Sequence, residues 1–231
     1  MNLTTLNEAY GEHYVLAVGG LIIGLLFGFF AQRSKFCLRA AVVEFWHRQF
    51  GEKLSVWLLT FSAAVIAIQG LIVIGDLDVS TARQLATRGS LSGALIGGLL
   101  FGSGMIMTRG CASRLLILSA NGNLRALLSG LIFAVTAQSA LSGALSPLRQ
   151  EITNLWTVEG GSSRDLLAIL GLSHTMGLVI GCVWLLAALY FTTRTTQRAW
   201  MWIGGIGTGL SVAMAWWFSY SVSKASFEVV H

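Results

Sequence analysis

The chain has 231 residues, of which 55% are hydrophobic and only 11% are charged. Soluble domains carry about 25% charged residues, so this composition excludes a soluble globular domain, a disordered chain and a disulfide-stapled secreted scaffold. The formal net charge of +5 does not indicate nucleic acid as a partner, because the basic residues lie in loops between apolar segments. We therefore predict an all-α, polytopic membrane protein that forms one membrane domain over 1–231.

A helix needs about 20 apolar residues to cross the hydrocarbon core of a bilayer. About six stretches meet this requirement, at approximately 14–31, 54–75, 91–107, 123–145, 172–191 and 200–219. The loops on one side of these spans hold ten Lys and Arg residues, and those on the other side hold five. Because cytoplasmic loops carry the excess of positive charge, the N-terminus is predicted to lie outside the cytoplasm.

An internal repeat relates the first span to the third. The apolar stretch 22–28 recurs 74 positions later as 96–102, and at the same offset Ser-Lys-Phe-Cys at 34–37 falls on Thr-Arg-Gly-Cys at 108–111. Transporters are often built from internal repeats, with the substrate site at the repeat interface. We therefore predict repeat 1 over about 14–75, repeat 2 over about 91–145, and over 172–219 the start of a further part that is incomplete.

In both copies a glycine-rich span ends near the cation, and a short segment that favours a helix follows the cysteine. These segments are 38–50 and 112–120, and Gly51 and Asn121-Gly122 follow them as helix-stop signals. Since backbone breaks inside a membrane are tolerated only where they are buried in protein or line a cavity, we predict that both segments enter the membrane and face a path. The N-terminus of such a helix attracts anions through its unpaired N–H groups.

Seven residues at the two breaks form the predicted binding site: Ser34, Lys35, Cys37, Thr108, Arg109, Gly110 and Cys111. Gly110 lets the backbone come close to a ligand. Alternatively, Lys35 and Arg109 are ordinary cytoplasmic anchors. The alternative for the two cysteines is that they are small buried side chains that serve packing alone. The cysteines lack the spacing of metal ligands, so no metal, cofactor or catalytic residue is predicted.

Other residues are expected to serve structure rather than binding. Cys182 is predicted to be a packing residue, and His174 a hydrogen-bonded polar residue rather than a proton relay. Arg33, Arg39 and Arg48 are expected to be anchors rather than ligands. The glycine rows Gly20/Gly24/Gly28 and Gly98/Gly102 are predicted to pack helices closely, and Gln69 and Gln138 to form hydrogen bonds between helices.

The motifs resemble the YeeE/YedE family of membrane proteins, which take up sulfur-containing ions. The resemblance covers about the first 145 residues and depends on the stretch 28–37, on Arg109-Gly110-Cys111 and on 121–124, Asn-Gly-Asn-Leu. It implies an inner-membrane transporter of bacteria, in which re-entrant segments bring cysteines to the centre of an hourglass-shaped protein and thiols pass thiosulfate inward. Cys37 and Cys111 match the first two family cysteines, whereas Cys182 lacks the flanking pattern of a third.

The resemblance implies thiosulfate, a divalent anion with a soft terminal sulfur, as substrate. Cations and helix N-termini attract its charge, Ser34 and Thr108 donate to its oxygens, and neutral thiols donate weak S–H hydrogen bonds. We predict protonated thiols, because a thiolate repels an anion. Alternatives are a sulfur or redox relay that uses persulfide or disulfide chemistry, and a non-transporting structural subunit. A TusA-type sulfur carrier is the partner that the resemblance implies. Either the chain is a fragment or a short form, or a second copy or subunit completes the pore.

Overall fold

The computed structural model describes residues 10–78, 88–160, 166–195 and 199–230. The helices within these ranges are α1 (Glu12–Arg33), α2 (Leu38–Trp46), α3 (Glu52–Ile74), α4 (Leu91–Met107), α5 (Ala112–Ala120), α6 (Leu124–Ser142), α7 (Ser146–Asn154), α8 (Leu166–Ile169), α9 (His174–Thr193) and α10 (Ala199–Val230). Two short strands, β1 (Gly89–Ser90) and β2 (Thr157–Val158), pair antiparallel, with Gly89 opposite Val158. The predicted all-α fold class is confirmed.

Five helical stretches of the described chain are long and apolar enough to cross a membrane. Two of them are the interrupted stretches Glu12–Trp46, which joins α1 to α2, and Leu91–Ala120, which joins α4 to α5. The other three are α3, α6 and α9. The sixth predicted span, 200–219, lies within the 32-residue helix α10. The architecture is therefore that of a multi-pass membrane protein with two broken helices.

The chain divides into two compact units. The first contains α1, α3, α9 and α10, and the second contains α2, α4 to α8 and the β1–β2 pair. Repeat 1 is thus shared between the units, because α1 and α3 belong to the first and α2 to the second, whereas repeat 2 lies within the second unit. The single membrane domain expected over 1–231 stays a prediction.

In the first unit α3 is the central helix, and it packs against both α9 and α10. Eight residues of its first half are buried: Leu54, Ser55, Val56, Leu58, Leu59, Thr60, Ser62 and Ala63. The Thr60 hydroxyl lies 2.9 Å from the carbonyl oxygen of Val56 and 3.0 Å from that of Gly205 in α10. Helix α10 also packs against α1. Small residues let these backbones approach closely, which is how helices associate in membranes.

In the second unit α5 packs against α6, and both α4 and α6 contact α7. Ser92, near the start of α4, is buried and fixes the segment around β2. Its hydroxyl donates to the carbonyl oxygen of Ile152 at 2.7 Å and accepts from the backbone N–H of Trp156 at 3.2 Å. The sequence did not predict this pairing of β1 with β2 or the short helix α7.

The close helix packing predicted for the two glycine rows is wrong for the described residues. A Cβ atom placed at Gly20, Gly24, Gly28, Gly98 or Gly102 would meet nothing within 4 Å, so these rows do not pack helices. The close approaches occur instead at glycines that the spacing rule did not single out, including Gly181 in α9 and Gly204 in α10. Apolar helices carry small residues on several faces, and spacing alone does not identify the face that is covered.

The interhelical hydrogen bond predicted for each of the two glutamines is present for one and absent for the other in the described chain. Gln69 Oε1 in α3 lies 3.2 Å from His174 Nδ1 in α9, which confirms an interhelical hydrogen bond and a satisfied histidine. Gln138 instead donates to Ser142 Oγ at 3.0 Å within α6, so the interhelical role predicted for it is wrong. The i, i+4 spacing on one helix places a suitable hydroxyl next to Gln138.

Candidate functional site

The two helix breaks have the same backbone structure. Lys35 and Arg109 adopt the left-handed conformation, with φ of 53° and 57°. In the first break the N–H of Lys35 donates to Gln32 O, and in the second the N–H of Arg109 donates to Ile106 O, each at 3.2 Å. Left-handed backbone costs a residue with a Cβ roughly 1–2 kcal/mol. The two cations therefore occupy matched strained positions, which shows that the sequence repeat is also a structural repeat.

A hydroxyl residue ends the long helix in both copies. The Ser34 hydroxyl donates to Phe30 O and the Thr108 hydroxyl to Gly104 O, both at 2.8 Å. The backbone N–H groups of Ser34 and Thr108 donate to the same carbonyls at 2.9 Å. Such bonding to the preceding turn bends helices and satisfies carbonyls at their ends. Ser34 and Thr108 thus stabilise the end of the helix before the chain turns.

The short helices that follow also correspond. Helices α2 and α5 have nine residues each, and Cys37 and Cys111 are their N-caps with extended backbone. A left-handed residue follows the C-cap of each helix, Arg48 with φ of 54° after α2 and Gly122 with φ of 84° after α5. Because these residues are also 74 positions apart, the structural repeat extends to the ends of α2 and α5.

The two cysteines meet in the second unit. Cys111 Sγ lies 3.9 Å from Cys37 Sγ and 3.3 Å from the Ser113 hydroxyl oxygen. Cys111 is buried with 3% of its surface exposed, and Cys37 is half-buried. A distance of 3.9 Å is a contact between thiols, well beyond the disulfide bond length of about 2.05 Å. The fold thus brings together the two cysteines that the repeat made equivalent.

Backbone N–H groups at the starts of the two short helices lie beside the sulfur atoms. Neither thiol makes a capping hydrogen bond of normal geometry, but the N–H groups of Ala40 and Cys111 lie near Cys37 Sγ. Those of Leu38 and Arg114 lie near Cys111 Sγ. Each sulfur therefore lies beside N–H groups from both breaks. Unpaired N–H groups at a helix start attract anions and electron-rich atoms.

The other predicted site residues differ in position. Lys35 and Arg109 are exposed, and no hydrogen bond or ion pair joins their side chains to another residue of the described chain. Gly110 is buried, and its carbonyl oxygen lies 3.1 Å from Thr108 Oγ1. Ser34 is fully buried in the first unit, where it contacts Gly204 of α10. The thiols and the Thr108–Gly110 pair thus lie in the interior, and the two cations lie at the surface.

A cavity of about 420 Å³ in the second unit lies beside the second break. Its lining is apolar except for three hydroxyl residues, Thr108, Ser129 and Thr136, and it contains neither cysteine. A divalent anion would lose its hydration there without receiving charged partners, which is strongly unfavourable. The cavity therefore suits an apolar group, and we do not assign the anion to it.

Sequence reasoning missed Ser113 and the N–H groups of Leu38, Ala40 and Arg114 as neighbours of the thiols. The position of each cysteine just before a predicted helix could have indicated these N–H neighbours. The backbone N–H groups two and three residues after an N-cap point towards its side chain. The described residues contain no group of three His, Cys, Asp or Glu that could hold a metal ion.

Comparison with known proteins places these features in a family. The family model described as sulphur transport matches residues 33–230. The thiosulfate transporter TsuA of Spirochaeta thermophila is 28% identical over 193 residues, which are 78% of this chain and 55% of that protein. The thiosulfate transporter TsuA of Escherichia coli is 29% identical over 100 residues, which are 43% of this chain and 27% of that protein. These matches confirm the resemblance that the two cysteine motifs indicated.

Proposed function

Because this chain belongs to the sulphur transport family, we propose that it carries a sulfur-containing anion, thiosulfate first among the candidates, across the membrane. The chain spans about half the length of the Spirochaeta relative, which is named as a thiosulfate transporter. The proposed role is transport rather than enzymatic turnover, with Cys37 and Cys111 as the residues that handle the substrate.

One observation supports this proposal above the others, namely the 3.9 Å contact between Cys37 Sγ and Cys111 Sγ. The two sulfurs come from equivalent positions of a repeat and from breaks in two membrane-length helical stretches. Repeat proteins of this kind bind substrates where broken helices meet. The two N-capping cysteines supply soft S–H donors at that point. Residues that only pack the helices would not need such donors.

In the proposed mechanism both thiols are protonated. Each S–H donates a weak hydrogen bond to the soft terminal sulfur of thiosulfate, and the neighbouring backbone N–H groups offset its negative charge. Thiosulfate replaces the contact between the two thiols and then passes to the next group along the path. Several weak sites in series permit release, whereas one tight site would retain the ion. Lys35 and Arg109, both exposed, raise the local concentration of anions near the breaks.

Serine substitution tests the assignment, because a hydroxyl keeps the size of the side chain and removes the soft donor. We expect the variants Cys37→Ser and Cys111→Ser to lose most uptake of labelled thiosulfate at normal membrane abundance. Cys182→Ser is the matched control, since Cys182 is the remaining free cysteine and is half-buried in α9. Undiminished uptake by the Cys111→Ser variant would refute the assignment.

A second candidate function, a sulfur or redox relay, is favoured by the same short distance between the thiols. In that reading the thiolate of Cys37 or Cys111 attacks the terminal sulfur of thiosulfate, which breaks the S–S bond, forms a persulfide and releases sulfite. Attack of the other thiolate on the inner sulfur of that persulfide forms a disulfide and releases hydrosulfide. The relay predicts substrate-derived sulfur bound covalently to the protein during turnover, which mass spectrometry of the intact chain detects. Transport by non-covalent transfer predicts an unchanged mass. A purely structural subunit predicts that serine at both positions has no effect.

The same proposal includes the cellular setting and the partners. It places the chain in the bacterial inner membrane with its N-terminus outside, a TusA-type sulfur carrier on the cytoplasmic side, and a second copy or subunit completing the pore. Labelling of single introduced cysteines from either side of the membrane tests the orientation. Co-purification after cross-linking in membranes tests both partners.

A further inference from the structure

Each thiol-bearing helix carries an arginine in its first turn. Arg39 follows Cys37 by two positions in α2, and Arg114 follows Cys111 by three positions in α5. Both residues are half-buried, unlike the exposed cations Lys35 and Arg109. The Nε atom of Arg39 is fully buried and has no hydrogen-bond partner in the described chain. The sequence favoured Arg39 as a cytoplasmic anchor, but an anchor exposes its guanidinium to water or lipid headgroups.

The buried Nε donor of Arg39 lacks a hydrogen-bond acceptor within the described chain. No ion pair involves Arg39 or Arg114 among the described residues. Buried donors without partners are costly, and ionisable residues within membrane-spanning stretches usually serve a substrate path. Long side chains on a helix lean towards its N-terminus, so arginines in the first turn cover the region of the N-cap. That region contains the two sulfur atoms.

We infer that Arg39 and Arg114 bind the oxygen atoms of a sulfur oxyanion while the thiols contact its terminal sulfur. This inference rests on the proposed transport function and deepens it, because it names the residues that recognise the oxygen atoms of the substrate. The planar guanidinium matches two oxygens of one anion with two parallel N–H donors. The arginines thereby give preference for thiosulfate over hydrosulfide, which has a soft sulfur but no oxygens.

Protection of the thiols against a maleimide measures binding directly. The full chain is purified with the substitution Cys182→Ala, so that Cys37 and Cys111 are its remaining thiols. Labelling of Cys37, the more exposed of the two, is followed while thiosulfate is titrated until labelling is halved. We expect Arg39→Gln and Arg114→Gln each to raise the half-protecting concentration about tenfold, since a charge-assisted hydrogen bond is lost. Arg125→Gln, which removes an exposed cation of the same unit from α6, is the control and should match the parent.

Sulfate provides a readout that a structural role would not change. It has the oxygens of the ligand but lacks the soft sulfur, so it should compete with thiosulfate in the parent chain and compete less in both arginine variants. Where a glutamine variant does not fold, the lysine variant replaces it. Lysine keeps the charge but not the two parallel bonds, and a severalfold rise in the half-protecting concentration is then expected.

Two results separate this inference from the proposed function. If thiosulfate protects the thiols equally well in the parent and in the folded glutamine or lysine variants of both arginines, the inference is wrong and the thiol assignment stands. If thiosulfate does not protect the thiols of the parent at all, the proposed function fails first.

Discussion

Gly204 holds the end of α1 against α10, and replacing it with alanine tests how that contact supports the first break. A Cβ atom at Gly204 would lie 2.9 Å from Phe30 O, from Ser34 N and from Ser34 Cβ. Two of these three atoms are backbone, so no side-chain rotation relieves the overlap. Carbon contacts are optimal at about 3.5–4.0 Å, so α10 must move away from α1 by about 0.5–1 Å.

The expected magnitude follows from two opposing effects. Overpacking of this kind costs about 1–3 kcal/mol, whereas alanine in place of glycine inside a helix gains about 1 kcal/mol. We therefore expect Gly204→Ala to lower the free energy of unfolding by up to about 2 kcal/mol. Gly24→Ala in α1 has open space at its Cβ position and should be stabilised by up to about 1 kcal/mol. The two substitutions are chemically identical, but their expected effects on the free energy of unfolding have opposite signs.

Thermal unfolding in one detergent, with both variants and the parent measured side by side, provides the assay. Uptake of thiosulfate in membranes adds a second measurement, since a shift of Ser34 moves the break that precedes Cys37. We expect uptake to fall in Gly204→Ala and to persist in Gly24→Ala. A Gly204→Ala protein as stable as the Gly24→Ala protein would refute this reasoning.

Two further predictions concern residues outside the thiol site. Arg48→Gly should raise the free energy of unfolding by about 1 kcal/mol, because Arg48 has φ of 54° and glycine adopts that conformation without strain; the equivalent residue Gly122 already does so. Uptake should be unchanged, and a loss of uptake would show that this cation has a role in the path. Gln69→Leu removes the hydrogen bond to His174 and should cost about 0.6 kcal/mol, the average for interhelical bonds in membranes. Thermal unfolding measures that loss, and abolished uptake by a folded Gln69→Leu protein would point to proton transfer through His174 instead.

Local sequence signals predicted the breaks accurately. The short helix 112–120 coincides with α5, and α2 begins at Leu38 as expected and ends at Trp46, four residues before the predicted end. These elements depend on interactions within a few residues of chain, such as the hydroxyl bonds of Ser34 and Thr108 to the preceding turn. The repeat added a long-range constraint, because equal sequences at equal offsets favour equal backbones.

The sequence by itself determined a multi-pass helical protein with two matched breaks, each carrying a cysteine as N-cap. Only the tertiary structure decided that Cys37 and Cys111 touch, that Gly204 rather than Gly24 packs a helix, and that Arg39 has a buried donor without a partner. The physical reason is the range of the forces involved. Helix formation and hydropathy act along one segment, whereas the approach of two sulfurs 74 residues apart depends on which faces of several equally apolar helices meet.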